Sequence, residues 1–352
     1  MATVVGLDLG TSAVRAAQIS AGKRGAPVLE RIGQVPLPPG AIADGEIADP
    51  EAVAQALRLL WQSFKFKSRK VALGLANQQV VVRPVDLPYL PEAELRQSLA
   101  LQVQDYVPIP VEQAVLDVHI VANMESEDGN RVTRVLLVAA QHAMVSSFVD
   151  VVRKAKLEAV GLDLNVFAVL RALAEESLPT DSGSELLVDV GAAVTNLVVH
   201  SGGRPRFVRI LPFGGSVITD SLVGGLGLSV EEAEEAKAAI GIPDDYLVAL
   251  SDERARVIVD GATRLVEEIR SSFDYFQAQE RTSLVRRAVL VGGASLLPNL
   301  PARLSEALGV PVELGRPLER LRLGKIGLAS EELARAEPFF AVAVGLARGV
   351  AA

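Results

Sequence analysis

Short runs of β-branched and aliphatic residues alternate along the chain with stretches whose apolar positions recur at helical spacing, and glycine or proline separates them. TVVGLDLG (3–10) and AVRAAQIS (13–20) predict two strands joined by a tight turn at Gly10, Thr11 and Ser12. After a loop rich in proline and glycine (36–50), Val53, Leu57, Leu60 and Phe64 lie on one helical face, and Asp49, Pro50 and Glu51 supply the start signal. KVALGL (70–75) and VVVRPVDLP (80–88) predict further strands. Leu95, Leu99 and Val103 predict a helix from Pro91 to about Tyr106, which YVPIP (106–110) ends. AVLDVHIVA (114–122) and RVLLVAA (134–140) flank the polar turn ESEDGN and predict a hairpin, followed by a helix from Ala143 to Lys156. Residues 83–156 therefore read as a small subdomain inserted within a first lobe.

The second half opens with ELLVDVGAAVTNLVVHSGGRPRFVRILPFGG (185–215), again consecutive strands with glycine-rich turns. Placing Asp8 on Asp189 puts Gly10 on Gly191 and aligns the strands that follow, which predicts an internal duplication. Residues 216–280 are helical in pattern, with the acidic SVEEAEEAK (229–237) and a long helix from about Arg254 to Gln279 burying Leu265, Ile269, Phe273 and Phe276. RAVLVGGASLLPNLPARLSEAL (287–308) reads as strand, Gly-Gly turn and helix. A last helix, Pro338 to about Val350, carries Ala341, Gly345 and Gly349 on one stripe suited to close packing.

Length and composition narrow the classes. A chain of 352 residues has room for two domains with substantial cores, and 49% hydrophobic against 4% aromatic residues predicts cores of Val, Leu, Ile and Ala. The net charge of -8 argues against nucleic acid as a partner, and the short KFKSRK (65–70) reads as a solvated loop. Without cysteine there is no disulfide framework, thiolate zinc site or cysteine nucleophile. The first residues lack a basic region and Asp8 interrupts their apolar run, which argues against a secretory signal. FFAVAVGLA (339–347) is too short for a membrane-spanning helix, so a cytoplasmic protein without direct membrane insertion is expected. His119, His142 and His200 have no acidic or second histidine partner at ligand spacing and are expected to be structural. No GxxxxGK[ST] is present, and no GxGxxG leads from a strand into a helix, which removes the P-loop and makes dinucleotide binding a poor fit.

An aspartate at the end of a buried strand is costly unless paired or set against a cation. Two such acids facing one another across a cleft suit hydrated Mg²⁺, which keeps several waters and is held by one or two carboxylates plus phosphate oxygens. Gly10 and Gly191 would let backbone N–H groups approach phosphates, and Thr11 and Ser12 add hydroxyls. A nucleoside triphosphate clamped between two lobes is the geometry this predicts. The plainer alternative is that each aspartate merely ends a strand and each glycine serves a turn.

GLDLGTS (6–12), LLVDVGAAVTNLVV (186–199) and VLVGGASLLPNL (289–300), in this order, resemble the phosphate-1, phosphate-2 and adenosine motifs of the actin-like ATPase superfamily. GLDLNVFAVLRAL (161–173) and FFAVAVGLARG (339–349) are similar to its two connecting helices. Within the superfamily, VVRPVDLPYLPEAELRQSLALQVQDYVPIP (81–110), VRILPFGGSVITDSL (208–222) and LSVEEAEEAKAAIG (228–241) most resemble the PilM family of type IV pilus assembly proteins, with the FtsA cell-division family next. The resemblance implies an α/β, actin-like (ribonuclease H-like) duplicated fold of two lobes. Its divisions would be subdomain 1A (1–82 and 157–182), an inserted FtsA/PilM-type 1C (83–156), 2A (183–215 and 281–352) and 2B (216–280).

The resemblance also implies roles. Asp8 and Asp189 match the acids that hold Mg²⁺ through water; Gly10, Thr11 and Ser12 match the first phosphate loop and Gly191 the second. Arg15 falls where actin has a phosphate-contacting lysine, and Gly214 and Gly215 match the pair heading the helical part of the second lobe. Glu234 and Lys237 match ribose and adenine contacts, the alternative being a surface i,i+3 ion pair. Gly292, Gly293 and Ala294 match the adenosine loop. Asn165 stands where many relatives present a water-orienting Gln or Glu; it is too short for the one role and no base for the other, which implies slow hydrolysis, while capping of the following helix is a second reading. The implied function is a cytoplasmic ATP- and Mg²⁺-binding scaffold, at most a weak ATPase. Its implied partners are the cytoplasmic N-terminal peptide of the inner-membrane protein PilN, held in a groove between 1A and 1C near Val81–Pro88 and the helix from Pro91, and other proteins of the pilus platform. Self-association is left open. An FtsA-like division protein is the alternative, and a kinase of the superfamily lacks a suitably placed further acid.

Overall fold

Burial of both faces, Val5, Leu7 and Leu9 on one and Gly6 and Asp8 on the other, fits the first predicted strand to the interior of a sheet. A computed structural model describes residues 3–20, 27–126, 128–174, 183–244, 247, 251–280 and 284–351. The expected subdomain boundaries at 182 and 281, and Glu127 of the ESEDGN turn, lie outside the described residues. The first sheet runs β10 (Glu158–Leu164), β6 (Lys70–Leu75), β1 (Val5–Leu9), β2 (Ala13–Ser20), β3 (Val28–Pro36) and β16 (Arg322–Leu323). The second runs β15 (Val312–Leu314), β14 (Val285–Val291), β11 (Ser184–Val190), β12 (Thr195–Ser201) and β13 (Arg204–Leu211).

Without the added edge strand β16, the two sheets have the same order and sense. β1 and β11 pair antiparallel with the strands after them, those pair antiparallel with a third, and the other side is parallel in both. The turns match as well: Gly10 N donates to Ala13 O at 3.1 Å, and Gly191 N to Val194 O at 2.9 Å. The duplication expected from Asp8 and Asp189 is thus present in register and in turn geometry.

Ten helices are assigned among the described residues: α1 (Pro50–Phe64), α2 (Glu92–Gln102), α3 (His142–Lys154), α4 (Asn165–Leu173), α5 (Ser216–Leu226), α6 (Val230–Ile240), α7 (Glu253–Gln279), α8 (Leu300–Leu308), α9 (Ser330–Ala336) and α10 (Ala341–Ala351). α10 lies on β1, β2 and β6, α4 lies on β11 and β12, and the two helices pack on one another between the sheets. Glycine permits that closeness. A Cβ on Gly6 would fall 1.9 Å from Ala343 O, and one on Gly345 would fall 1.7 Å from Ala168 O. The small-residue stripe on the last helix therefore does what its sequence predicts. Before it, residues 337–340 form a 3₁₀ turn, so the α-helix starts three residues later than Pro338.

α1 begins where expected, with Asp49 accepting from Glu51 N and Ala52 N at 3.0 Å. Leu265, Ile269, Phe273 and Phe276 of α7 are buried in the second lobe's core. β4 (Ile42–Ala43) and β5 (Glu46–Ile47) form a small ribbon in the loop before α1.

The insertion is a sheet of β7 (Val81–Pro88), β9 (Arg131–Gln141) and β8 (Ala114–Glu125), with α2 packed on it. Val85, Leu87, Leu95, Leu99, Val103, Val135 and Leu137 give it a core of its own. α3 stands apart from that core: Met144, Phe148, Val151 and Val152 are buried with α1 in the first lobe. Two lengths differ from the sequence reading. α2 stops at Gln102 and a separate 3₁₀ turn spans Gln104–Tyr106, after which Val107 is extended, as a residue before proline prefers. β8 and β9 run past their apolar cores to Glu125 and from Arg131, because backbone pairing continues where the side chains are exposed and polar.

Candidate functional site

Asp8 and Asp189 end equivalent strands and are only 6% and 8% exposed. Each faces a cross-strand partner at the same register: Arg15 opposite Asp8, and Asn196 opposite Asp189. Arg15 Nη1 is 3.7 Å from Asp8 Oδ2, whereas Asn196 Nδ2 donates to Asp189 Oδ2 at 3.0 Å. Burial pushes the Asp8 carboxyl up to about 6, against the pull of Arg15 and reinforced by the charge of Asp189. Burial also raises Asp189, opposed by the Asn196 hydrogen bond and by Arg15. The acids of the two lobes thus share one electrostatic environment.

Glycines bring the surrounding loops together. Gly292, at φ +88°, has no room for a side chain, since a Cβ would lie 2.6 Å from Asp189 Oδ1 and 2.4 Å from Val190 O. Gly214 lies against the backbone of Gly191 and Ala192, Gly215 N donates to Gly191 O at 2.9 Å, and Ser216 N to Ala192 O at 2.8 Å. The head of α5 is thereby bonded to the second phosphate-like turn. Gly215 in turn abuts Ala294, where a Cβ would approach the alanine methyl to 2.8 Å. Gly191, Gly214, Gly215, Gly292 and Ala294 form one contiguous surface, while Gly10, Thr11 and Ser12 make the equivalent turn of the first lobe.

Ser229 and Glu232 close a capping box at the start of α6, which sets Glu234 and Lys237 one turn along. Lys237 Nζ donates to Gly215 O at 3.1 Å, Thr219 Oγ1 at 2.8 Å and Glu234 Oε1 at 2.8 Å, using all three of its protons. With a side chain only 12% exposed, it is no surface ion pair. It ties α6 to the Gly214–Gly215 loop, and Glu234, more than half exposed, is the member of the pair open to a ligand.

Asn165 is the first residue of α4; Leu164 precedes it as the cap and no side-chain cap bond forms. The capping reading therefore fails. The Asn165 side chain lies over β6, with Oδ1 occupying the space a Cβ on Gly74 would need. Three buried polar atoms of this region, Arg15 Nε, Asn165 Oδ1 and Asn196 Oδ1, have no hydrogen-bond partner among the described residues. Native interiors leave few such atoms, and those they leave call for a cause.

Two residues here escape a periodicity reading. Phe339 lies against Gly293, and the Arg15 guanidinium stands 5.3 Å from its ring centroid, so it spans from the adenosine-like loop to the first lobe. Asn196 looks like one position of a buried strand. Its only signal in sequence is that it follows Asp189 at the interval by which Arg15 follows Asp8.

The fit to magnesium is chemical. Two buried carboxylates from different lobes, one weakly paired, suit a cation that keeps its waters. Among the described residues no group of three or more His, Cys, Asp or Glu forms a denser metal site. The histidine expectation needs one correction: His200, 1% exposed, has an acidic partner, its Nε2 lying 3.2 Å from Glu185 Oε2 across the β11–β12 ladder. Glu185 also takes the guanidinium of Arg287, so the trio staples β12, β11 and β14. His119 of the insertion stacks on Phe167 of α4 at 6.1 Å.

Comparison with known proteins agrees with this architecture. The structure of the PilM–PilN type IV pilus biogenesis complex is matched at TM-score 0.84 and 29% identity, over 99% of this chain and 98% of that one. MreB5 of Spiroplasma citri bound to AMPPNP is matched at TM-score 0.55 and 14% identity over 98% of this chain and 95% of that one, which shows the actin-like fold alone. The cell-division protein FtsA of Escherichia coli K12 is 24% identical over 265 residues, 68% of this chain and 60% of FtsA; that of Bacillus subtilis 168 is 23% identical, over 89% of this chain and 78% of its own length. The chain thus spans about 60% of the length of the Escherichia coli relative. No helix among the described residues is long and apolar enough to cross a membrane. The family model for type IV pilus assembly protein PilM matches residues 6–349, and with the duplicated sheets, the insertion and the paired acids in place, the chain belongs to the PilM family of actin-like proteins.

Proposed function

We propose that this protein is a cytoplasmic, ATP-binding scaffold of a type IV pilus inner-membrane platform, in which bound nucleotide orders the two lobes and hydrolysis is slow. The observation that carries it is that Asp8 and Asp189 are both buried at the same register of equivalent hairpins in different lobes, with the charge of Asp189 felt at Asp8. In this reading the acids hold Mg²⁺ through water. The turns at Gly10–Ser12 and Gly191 approach the phosphates, Arg15 lends positive charge, Gly292–Ala294 admit the base and α-phosphate, and Glu234 accepts from the sugar. When bound, magnesium supplies charge neutralisation for the phosphates. Lys237 acts by holding the Gly214–Gly215 loop. Asn165 orients water poorly, for its amide cannot act as a base as Glu would and, one methylene shorter than Gln, reaches less far.

The family, and a similar structure that is a complex of PilM with PilN, support a PilN-like partner. We place the cytoplasmic N-terminal peptide of a PilN-like membrane protein between subdomains 1A and 1C, beside β7 and α2, with the subdomain limits as the sequence divides them. α2 carries an exposed apolar side chain, Leu101 at 76% exposure, which this reading assigns to the peptide. Membrane association is then indirect, through the partner. The FtsA-like alternative is weaker because the PilM model matches residues 6–349 and the PilM–PilN structure is matched at 29% identity over 99% of this chain, whereas the Escherichia coli and Bacillus subtilis FtsA matches are 24% and 23% identical over 68% and 89% of it.

Calorimetric titration tests both parts. ATP should bind the full chain with Mg²⁺, and Asp189→Asn should weaken that binding at least tenfold; equal affinity in the variant would defeat the two-acid site. A synthetic peptide from the cytoplasmic N-terminus of a PilN-like membrane protein should bind, and Leu101→Asp should abolish it. Absence of binding by every candidate peptide would return the division-protein reading.

A further inference from the structure

We propose that the end of the first lobe opposite the cleft is a docking face for an anionic lipid surface, built from basic side chains at the ends of α1 and α3 and in the loops that follow them. The inference does not use the nucleotide reading. β6 begins at Lys70 and runs parallel to β1, so this face and the Asp8 end of β1 lie at opposite ends of the first sheet.

The chain carries 43 acidic and 35 basic residues, yet here the balance is reversed. Residues 58–70 hold Arg58, Lys65, Lys67, Arg69 and Lys70 with no acid, and residues 153–158 hold Arg153, Lys154 and Lys156 against Glu158. The fold joins the two stretches. Glu158 N donates to Arg69 O at 2.8 Å, Arg69 Nη1 to Lys156 O at 3.2 Å and Arg58 Nη1 to Lys154 O at 3.3 Å, while Lys70 and Glu158 pair across β6 and β10. All of these basic residues are exposed. Glu51 pairs with Arg58 and Lys154, and Asp150 with Arg153, but Lys65, Lys67, Lys70 and Lys156 make no ion pair among the described residues. KFKSRK, a solvated loop when taken alone, is thus one part of a larger basic face.

Backbone conformation singles out two of these lysines. α5, α6 and α8 each end on a glycine at positive φ, Gly227, Gly241 and Gly309, the residue such helix ends favour. α1 and α3 reach the same kind of ending with Lys65 at φ +55° and Lys156 at φ +64°, where a Cβ is disfavoured. A cation near a helix C-terminus gains from the helix dipole, which accounts for these two, but Lys67, Arg69 and Lys70 lie beyond any helix end. Exposed cations spread over several segments, with no buried member, suit a plane of headgroups better than a single bound phosphate. Nucleic acid fits less well, because the aromatic rings of this region are engaged inward: Trp61 packs on Phe66 at 5.1 Å and Phe64 lies against Gly33, so none is offered to a base.

Co-sedimentation of the full chain with vesicles tests this. At about 50 mM salt the natural protein should sediment with phosphatidylcholine vesicles containing about 30% phosphatidylglycerol and not with phosphatidylcholine alone, and about 500 mM salt should release it. Each lysine near such a surface strengthens binding roughly fivefold, so Lys65→Gly combined with Lys156→Gly should weaken it about 25-fold. Glycine is favoured at both helix ends, so this double variant should keep or raise the urea midpoint; a purely structural role for the lysines would lower it and leave lipid binding unchanged. Adding Lys67→Gln and Lys70→Gln should abolish sedimentation. No binding to anionic vesicles, equal binding to neutral ones, or undiminished binding of the fourfold variant would overturn the inference. So would retention of a single-stranded oligonucleotide in place of vesicles, which would assign the face to nucleic acid.

Discussion

Replacing Gly345 by alanine sets a favourable local effect against an unfavourable packing one. Within a helix, Ala is better than Gly by about 1 kcal/mol, so propensity alone predicts a more stable protein. The new Cβ, however, would lie 1.7 Å from Ala168 O and 2.8 Å from its Cα, backbone atoms that no rotamer change can move. An ordinary carbon–oxygen contact is about 3.3 Å, so α4 and α10 would have to part by roughly 1.6 Å. Gaps of even about 1 Å forfeit up to half of the dispersion well of the atoms involved, and overpacking of this kind costs about 3 kcal/mol. The net expectation is a loss of about 2 kcal/mol, with slower single-turnover ATP hydrolysis because α4 carries Asn165. Gly225→Ala is the matched control: it lies in α5 with nothing within 4 Å of its would-be Cβ, and should gain up to about 1 kcal/mol. Urea unfolding followed by far-UV circular dichroism reads both midpoints. A Gly345→Ala protein at least as stable as the natural one would refute the argument that the stripe exists for helix approach.

Other perturbations act at named contacts. The Glu185 carboxyl is held below its ordinary value of 4.5, first by His200 beside it and then by Arg287, against the effect of burial. Its stabilisation is therefore complete above 4.5 and lost as pH falls through the lower folded value. Glu185→Gln should cost about 2 kcal/mol at neutral pH, with the difference from the natural protein shrinking under acid, as urea midpoints against pH would show. Gly74→Ala puts a methyl into the Asn165 carboxamide, so single-turnover ATP hydrolysis should fall to the rate of Asn165→Ala; unchanged turnover would show that Asn165 has no part in it. Asp49→Ala removes two N–H partners from the start of α1 and should destabilise by about 1 kcal/mol in the same unfolding assay.

The sequence carries those parts of the fold that rest on local rules. Asp8-x-Gly10 and Asp189-x-Gly191 reveal the duplicated hairpins because each turn needs its glycine and each strand alternates. Asp49, Pro50 and Glu51 mark the start of α1 for the same local reason. What depends on distant contacts is hidden. α3 follows the inserted hairpin in sequence yet buries Met144, Phe148 and Val151 in the first lobe, which no periodicity distinguishes. Lys237 looks like half of a surface ion pair until the Gly215 carbonyl is placed beneath it. Phe339 and Asn196 belong to apolar stretches, and their polar or ring contacts exist only once another segment is folded against them. Asn165 offered two readings, and tertiary placement removed one by starting the helix at that residue.

The charge balance of the cleft bears on why slow turnover suits the proposed role. Asp8 and Asp189 come from different lobes, and Arg15 lowers the pKa of both, yet burial outweighs it at each. Bringing the lobes together over two carboxylates and one guanidinium leaves a net negative site in poorly solvated surroundings, so the carboxylates oppose closure. On the proposed reading a hydrated dication held by the two carboxylates would offset their charge, and the turns at Gly10 and Gly191 would approach the phosphates of one ligand. On the proposed reading, Mg-ATP therefore favours closed lobes by its differential affinity for them, about 1.4 kcal/mol for each tenfold preference. Hydrolysis would discard the γ-phosphate and weaken the preference. On that reading, a water-orienting side chain as short as Asn165 would keep the closed scaffold in place for longer than a Gln there.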